Sequence, residues 1–178
     1  MDAPKTPKFG KQDYMAPTAY VGGDVVLGDQ VTVMHFVTIR GDIAPIRIGD
    51  RVNIQDGTVV HTPHGIPLDI ASDVGIGHRA VVHCRRIGER TLIGIGAILL
   101  DNAVIGSRCI VAAGTVVPPG MSILDDSVVM GIPGRIVRGT TTGDLEMIDH
   151  VVQSYLTLGR LHAGGLFPNT VTAHSNSS

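Results

Sequence analysis

The sequence predicts an all-β solenoid, a parallel β-helix followed by one C-terminal α-helix, and three observations support that prediction. Aliphatic residues recur at every sixth position over long runs, glycine often follows them, and aromatic residues make up only 3% of the chain, with no tryptophan. A period of six fits neither an α-helix nor a plain strand. It fits a short strand followed by a corner, and three such units close a triangular coil of roughly 18 residues.

The longest run of the repeat lies in the second half of the chain. Eight aliphatic residues keep one phase there, namely Ile87, Ile93, Leu99, Ile105, Val111, Val117, Ile123 and Val129. Shorter runs precede them: Val21, Leu27, Val33 and Ile39, then Ile48, Ile54 and Val60, then Ile70, Ile76 and Val82. Burial of one such side chain contributes roughly 1.5–3 kcal/mol, which the ordering of the chain largely offsets, so the coils are stable only as a stack.

The phase of the repeat breaks three times, each time near a cluster of histidines. Three residues are inserted between positions 39 and 48, four are inserted between 60 and 70, and one is missing between 82 and 87. Bulges and loops that interrupt a regular repeat tend to mark functional sites. The stretch 60–83 is therefore the first place to look for one.

The repeat ends before residue 140, and a helix follows it. The β-helix is predicted over residues 14–139. Thr141 and Asp144 then have the spacing of a capping box, and an amphipathic pattern predicts a helix over 143–161 that packs along the prism or across a subunit boundary. The segment 164–178 is small and polar, and we expect it to be disordered.

Composition argues against several classes of function. The net charge is −2 and the pI is about 6.4, so nothing favours nucleic acid or an anionic membrane surface as a partner. No apolar run of about 18 residues is present to span a membrane, and the first residues lack the apolar stretch of a signal peptide. Two cysteines form no disulfide framework, so we expect a reduced, cytoplasmic protein.

Three histidines in the stretch 60–83 are the candidate functional residues. His61 and His83 each follow an inward aliphatic residue and are 22 positions apart, which is 18, or one coil, once the four inserted residues are subtracted. Arg40 and His61 are 21 positions apart, which is again 18, or one coil, once the three inserted residues are subtracted. Arg40 therefore lies one coil before His61. The three side chains are therefore expected to form one outward-facing column.

His78 belongs to a different corner of the triangle. Its neighbour one coil earlier is Asp56, which Gln55 precedes. Around a threefold axis, the edge that carries His78 in one protomer meets the edge that carries His61 and His83 in the next. A triangular prism therefore favours a homotrimer in which three histidines converge, two from one chain and one from its neighbour.

Three neutral imidazoles that leave a fourth position open are typical of a catalytic zinc site rather than a structural one. Zinc lowers the pKa of its bound water from about 15.7 to near 7, which provides hydroxide at neutral pH. The alternative is that these are ordinary surface or interface histidines. The spacing of one coil between His61 and His83 argues against it.

The ordered motifs around these histidines resemble a known family. Ile39-Arg40-Gly41-Asp42 is followed by Asn53-Ile54-Gln55-Asp56-Gly57, Val60-His61, Gly77-His78 and Val82-His83. In that order, over roughly residues 14–160, the chain resembles the γ-class carbonic anhydrases and their close relatives. The resemblance implies a left-handed β-helix and a homotrimer with zinc, or in some members iron or cobalt, at each subunit interface. It also implies reversible hydration of CO2 to bicarbonate by a metal-bound hydroxide.

The resemblance further implies roles for individual residues. His61 and His83 of one chain and His78 of its neighbour would bind the metal, and Gln55 would orient the bound water. Arg40 and Asp42 would form an interface ion pair, Asn53 and Asp56 would support the site, and Tyr155 on the terminal helix would reach it. The alternative for Arg40, Asp42 and Asp56 is a purely architectural role in the trimer.

The sequence departs from the family where protons must leave the site. Members with established activity carry an acidic insertion, whereas Ile43 follows Asp42 here and the loop after His61 lacks acids. His64 on that loop is either a proton shuttle or an ordinary exposed histidine. Cys84, which stands where relatives often have glycine, is a fourth soft ligand, a redox-sensitive thiol or a small buried residue.

Two other functions stay open from the sequence. The segment 130–138 also resembles the hexapeptide acyltransferases, so acyl transfer or thioester hydrolysis on the same scaffold is one alternative. Such enzymes typically use one catalytic histidine and a long protruding loop, whereas this chain has three clustered histidines and no long loop. A metal-binding trimer with little catalysis is the other alternative.

Overall fold

The computed structural model describes residues 5–168. Its elements in chain order are β1 Tyr14–Met15, β2 Tyr20–Leu27, β3 Thr32–Val33, β4 Thr38–Ile48, β5 Asn53–Ile54, β6 Val59–His61, β7 Leu68–Ile70, β8 Gly75–Ile76, β9 Val81–Val82, β10 Arg86–Ile87, β11 Leu92–Ile93, β12 Ile98–Leu99, β13 Val104–Ile105, β14 Ile110–Val111, β15 Val116–Val117, β16 Ser122–Ile123, β17 Ser127–Gly131, β18 Gly134–Gly139 and α1 Thr142–Ala163. Most strands are only two or three residues long, because each forms one side of a coil.

The strands form the three faces of a left-handed β-helix, as the repeat and the resemblance predict. Face 1 consists of β1, β3, β5, β8, β11, β14 and β17, with β18 added antiparallel at its end. Face 2 consists of the first part of β4 with β6, β9, β12 and β15. Face 3 consists of the last part of β4 with β7, β10, β13 and β16. Strands of successive coils pair in parallel on all three faces.

The core is a stack of aliphatic side chains along the axis of the prism. The eight positions predicted to point inward, from Ile87 to Val129, are all buried, with at most 3% of any residue exposed. The core cluster of buried residues contains no aromatic ring. A core filled by aliphatic and small side chains accounts for the scarcity of aromatic residues in the sequence.

The corners bring the backbones of successive coils into close approach. A Cβ on Gly77 would lie 2.7 Å from the backbone nitrogen of Ile95, and one on Gly94 would lie 2.4 Å from that of Ala113. No side chain fits at these distances, which explains the glycine after the inward aliphatic residue. Arg79, two positions after Gly77, has a φ of 56° and turns the chain into the next face.

The interruptions of the repeat take different structural forms. The insertion at 39–48 is absorbed by β4, an 11-residue strand that runs across two faces, and its partner β2 shifts register between Gly23 and Val25. The insertion after β6 forms a loop at residues 62–67. The missing residue between 82 and 87 shortens the corner that contains Cys84.

The C-terminal helix packs along face 1 of its own chain. It begins one residue before the predicted range 143–161 and ends two residues after it. The predicted capping box is present, since Thr141 Oγ1 accepts a hydrogen bond from Asp144 N and the Asp144 carboxylate accepts one from Thr141 N. Ile148, Val152 and Leu156 are buried, and the helix contacts β1, β3, β5 and β8.

The described chain ends in a short segment of turns after the helix. Residues 164–168, the start of the segment predicted to be disordered, form turns in which Gly164 N donates to Arg160 O and Leu166 N to Leu161 O. The rest of that segment, 169–178, lies outside the described residues. Between residues 5 and 168, no helix is long and apolar enough to cross a membrane.

Candidate metal centre

His61 and His83 lie in one column on face 2. The strands pair so that Arg40 is opposite His61 and Val60 is opposite Val82, which places Arg40, His61 and His83 at equivalent positions of three successive coils. The two imidazole rings stack with their centroids 5.3 Å apart and their planes inclined by 24°. This is the alignment that the count of coils predicts.

His78 lies at the corner between faces 1 and 2, next to Asp56 of the preceding coil. The pairing of Ile54 with Ile76 sets this register. His78 Nδ1 is 3.1 Å from Asp56 Oδ2, and His78 Nε2 is 3.2 Å from the Tyr155 hydroxyl. The terminal helix therefore reaches the predicted site through Tyr155, and both nitrogens of His78 have a partner.

Gln55 and Asn53 are buried beside this corner. Gln55 is 5% exposed and Asn53 is fully buried. Gln55 Nε2 donates a hydrogen bond to Asn53 Oδ1 over 3.1 Å, and within residues 5–168 no donor contacts Gln55 Oε1, which can therefore accept a hydrogen bond. Asn53 Nδ2 has no acceptor among the residues that the structure describes. A buried polar donor without a partner is uncommon in folded proteins, and it marks this corner as a place where a further polar group fits.

Arg40 and Asp42 form an ion pair within one chain, with Arg40 Nη1 2.5 Å from Asp42 Oδ2. The other carboxylate oxygen of Asp42 is 3.2 Å from His61 Nε2. Partial desolvation opposes ionisation of Asp42, but the hydrogen bonds with Arg40 and His61 outweigh it and hold the pKa of that carboxyl below its ordinary value. The resemblance implies an ion pair of these two residues at the subunit interface; the pair is present within the chain, and its place at an interface stays a prediction.

Asp101 is a neighbour of the site that the sequence analysis missed. Its Oδ1 lies 2.6 Å from His83 Nδ1. The signal was present in the sequence, because Asp101 follows His83 by 18 residues, which is one coil. Each of the three histidines thus has its own aspartate: Asp42 beside His61, Asp56 beside His78 and Asp101 beside His83.

The three histidines do not meet within one chain. Over residues 5–168, no group of three histidine, cysteine, aspartate or glutamate side chains is arranged to hold a metal ion. The pair on face 2 and the single histidine at the corner lie on different edges of the prism. A site that uses all three needs a second copy of the chain.

Cys84 is buried and His64 is exposed, and the role of His64 as a proton shuttle stays a prediction. Cys84 is fully buried, and burial raises the pKa of its thiol to about 12. With no exposed surface, Cys84 is a small residue of the apolar core. His64 is exposed on the loop 62–67.

Comparison with known proteins places the chain among hexapeptide-repeat proteins. Residues 86–119 match the family described as bacterial transferase hexapeptide (six repeats). A protein of Geobacillus kaustophilus named carbonic anhydrase is 35% identical over 158 residues, which cover 89% of this chain and 87% of that protein. Gamma carbonic anhydrase 2, mitochondrial, of Arabidopsis thaliana is 33% identical over 89% of this chain and 59% of its own length.

The chain belongs to the γ-class carbonic anhydrase-like family. Its fold is also shared with a Bacillus cereus protein described as a candidate acetyltransferase, whose crystal structure superposes with a TM-score of 0.86 at 33% identity and covers 89% of this chain and 92% of that one. Because one fold supports different chemistries, the activity has to be argued from the site.

Proposed function

We propose that the protein is a metal-dependent carbonic anhydrase that interconverts CO2 and bicarbonate at sites between the subunits of a homotrimer. In each site, His61 and His83 of one chain and His78 of its neighbour bind the metal. The observation that carries the proposal is the stacked pair His61 and His83 on face 2, with His78 held by its own aspartate on a different edge.

The donor set suits zinc, and iron or cobalt as alternatives. Three imidazoles are the protein ligands of a catalytic zinc site with one open position. When bound, zinc supplies a Lewis acid that makes hydroxide available at neutral pH. The hydrogen bond of His83 Nδ1 with Asp101 fits this use, because it leaves His83 Nε2 to face the metal. His78 Nδ1 is 3.1 Å from Asp56 Oδ2, so a metal at this histidine would take Nε2 in place of the Tyr155 hydroxyl.

Gln55 is the residue best placed to orient the reacting water. Its amide group is held by Asn53, so its free Oε1 has a defined direction at the corner that carries His78. An oriented acceptor holds the water proton and directs the oxygen lone pair toward CO2. Asn53 and Asp56 act through Gln55 and His78, respectively, and Arg40 fixes Asp42 beside His61.

A partly exposed apolar strip on face 2 supports the homotrimer. The strip comprises the outward-facing residues Val59, Val81, Ile98 and Val116 and the corner residue Ile95. Ile95 is 57% exposed and Val59 is 40% exposed, and Val81, Ile98 and Val116 are half-buried. Contiguous apolar surface of this kind is typical of a subunit interface.

Two further features fit this proposal. Cys84 and Cys109 are free, buried thiols, as expected for a protein of the reducing cytoplasm. CO2 and bicarbonate are small enough for a site between two subunits and need no deep binding cleft.

Stopped-flow CO2 hydration by the zinc-loaded protein tests the activity. We expect a rate well above that of a His61→Ala variant prepared and loaded in the same way, at equal trimer concentration. A rate equal to that of His61→Ala would contradict the proposed activity. If the protein binds zinc stoichiometrically but does not hydrate CO2, it is a metal-binding trimer.

The second candidate is transfer or hydrolysis of an acyl thioester, favoured by the match to the transferase hexapeptide family and by the acetyltransferase-like relative. This function requires binding of a coenzyme A thioester, whereas the carbonic anhydrase acts on CO2 and bicarbonate. Stabilisation by coenzyme A in a thermal-shift assay, or turnover of acetyl-CoA, would favour this function. An unchanged melting temperature with coenzyme A present, together with CO2 hydration, would rule it out.

A further inference from the structure

Asp101 makes the shortest contact to any of the three histidines. Its Oδ1 is 2.6 Å from His83 Nδ1, compared with 3.1 Å between Asp56 and His78 and 3.2 Å between Asp42 and His61. A nitrogen and a carboxylate oxygen at this distance form a strong hydrogen bond. The contact with Asp101 therefore constrains the orientation of the His83 ring more tightly than Asp56 constrains that of His78 or Asp42 that of His61.

The backbone of Asp101 lies at a hydrogen-bonded corner of the next coil, and its side chain is half-exposed. The corner turns at Asn102, which has a φ of 62°, and Asp101 O accepts a hydrogen bond from Gly120 N over 2.8 Å. His83 is tied to the same coil by its own backbone, because His83 N donates to Leu99 O. Both ends of the contact thus belong to regular parts of the β-helix, and neither depends on a loop.

The contact selects one tautomer of His83. A carboxylate only accepts hydrogen bonds, so the proton of a neutral His83 ring lies on Nδ1, and the lone pair lies on Nε2. His61 differs, because its aspartate contacts Nε2 rather than Nδ1. The His83 ring stacks on that of His61, so an orientation imposed on His83 also limits the rotation of His61.

We infer that Asp101 is a positioning residue that locks His83 in the Nδ1–H tautomer and so prepares its Nε2 to bind the metal. This inference rests on the proposed function in one respect, since it assigns the Nε2 atom of His83 to the metal. The tautomer itself is a property of the metal-free chain. Carboxylates that orient metal-binding histidines typically contribute roughly 10- to 100-fold to metal affinity.

Three full-length variants test the inference. Asp101→Ala removes the acceptor, and Asp101→Asn keeps an acceptor oxygen but loses the charge. Asp69→Asn is the matched control, because Asp69 is an exposed aspartate of face 3 with no side-chain hydrogen bond among the described residues. Thermal unfolding followed by circular dichroism verifies that each variant is folded.

The first readout is zinc affinity, measured by competition with a chromophoric chelator. We expect Asp101→Ala to bind zinc roughly 10- to 100-fold more weakly than wild type, Asp101→Asn to lose less, and Asp69→Asn to match wild type. A folded Asp101→Ala variant with wild-type zinc affinity would overturn the inference.

The second readout needs no metal. Nitrogen-15 NMR of the histidine rings in the metal-free protein should show His83 as the Nδ1–H tautomer in wild type and in Asp69→Asn, and a shift toward the Nε2–H tautomer in Asp101→Ala. An unchanged tautomer would contradict the role of Asp101. If wild type binds no zinc but the tautomer shifts as expected, the metal proposal fails while the positioning by Asp101 stands.

Discussion

The imidazole rings of His61 and His83 stack one coil apart, with their centroids 5.3 Å apart. The two residues are 22 positions apart in the sequence, and it is the pairing of β6 with β9 that brings them together. Two potential ligands are therefore positioned by hydrogen-bonded strands on one face, since His61 lies in β6 and His83 directly follows β9. A pair prepared in this way needs only one more donor to form a catalytic zinc site.

The Tyr155 hydroxyl competes with the metal for one of the proposed ligands. It lies 3.2 Å from His78 Nε2, the nitrogen that the proposal assigns to the metal. We expect Tyr155→Phe to bind zinc as tightly as wild type or more tightly, because the ring still packs and the competing hydroxyl is gone. Chelator competition measures this affinity. A loss of zinc affinity beyond about tenfold would show that the hydroxyl holds His78 in place for the metal.

The stack of inward aliphatic residues accounts for the stability of the prism. Leu99 is fully buried on face 2, so Leu99→Ala should lower the free energy of unfolding by about 2–5 kcal/mol. Leu124→Ala is the matched control, because Leu124 is 74% exposed and its truncation should change the free energy by less than about 0.5 kcal/mol. Urea denaturation measures both values. Equal effects would mean that the repeat does not define the core.

The start of the terminal helix should become less stable in acid. Hydrogen bonds from Arg138 and Thr141 hold the pKa of Asp144 well below its ordinary value. A carboxyl whose pKa is lowered by folding stabilises the folded state at pH values above its unfolded pKa, and this contribution is lost as the pH falls through the folded pKa. We therefore expect Asp144→Asn to lower the melting temperature at pH 7.

The difference in melting temperature between Asp144→Asn and wild type should shrink as the pH is lowered below about 4, the ordinary pKa of an aspartate. Thermal unfolding by circular dichroism at a series of pH values measures it. A difference that is the same at pH 7 and at pH 3 would show that the effect arises from packing rather than from the charge of Asp144. Glu146→Gln serves as the control, because Glu146 is exposed on the same helix.

Much of the fold was predictable because the repeat has a period. The inward positions from Ile87 to Val129, the capping box at Thr141 and the alignment of Arg40 with His61 follow from counting residues, and the structure confirms all three. Counting succeeds here because each coil is stacked on the previous one by backbone hydrogen bonds. The register of one strand therefore determines that of the next.

What counting missed were contacts that depend on side-chain direction. Asp101 lies one coil after His83, but nothing in its local sequence distinguishes it from other corner aspartates such as Asp125. The burial of Cys84, which makes its thiol inert, depends on how the shortened corner folds inward. Such features require coordinates.

If each metal site is shared between two chains, mixing of two variant subunits should restore sites that neither variant can form alone. Neither His78→Ala nor the double variant His61→Ala/His83→Ala should bind zinc as a homotrimer, because every site lacks a ligand. In a trimer that contains both variants, one of the three junctions combines the intact His61 and His83 of one chain with the intact His78 of its neighbour.

After the two variants are unfolded together in equal amounts and refolded, zinc should return to roughly a quarter of the wild-type content, since three quarters of randomly assembled trimers hold one complete site. Zinc per trimer is measured by atomic emission on the purified mixture, with each variant refolded alone as the control. We expect zinc to be recovered only in the mixture. Zinc bound by His78→Ala alone, or no zinc in a mixture of proven hybrid trimers, would show that the site is not shared between two chains in this way.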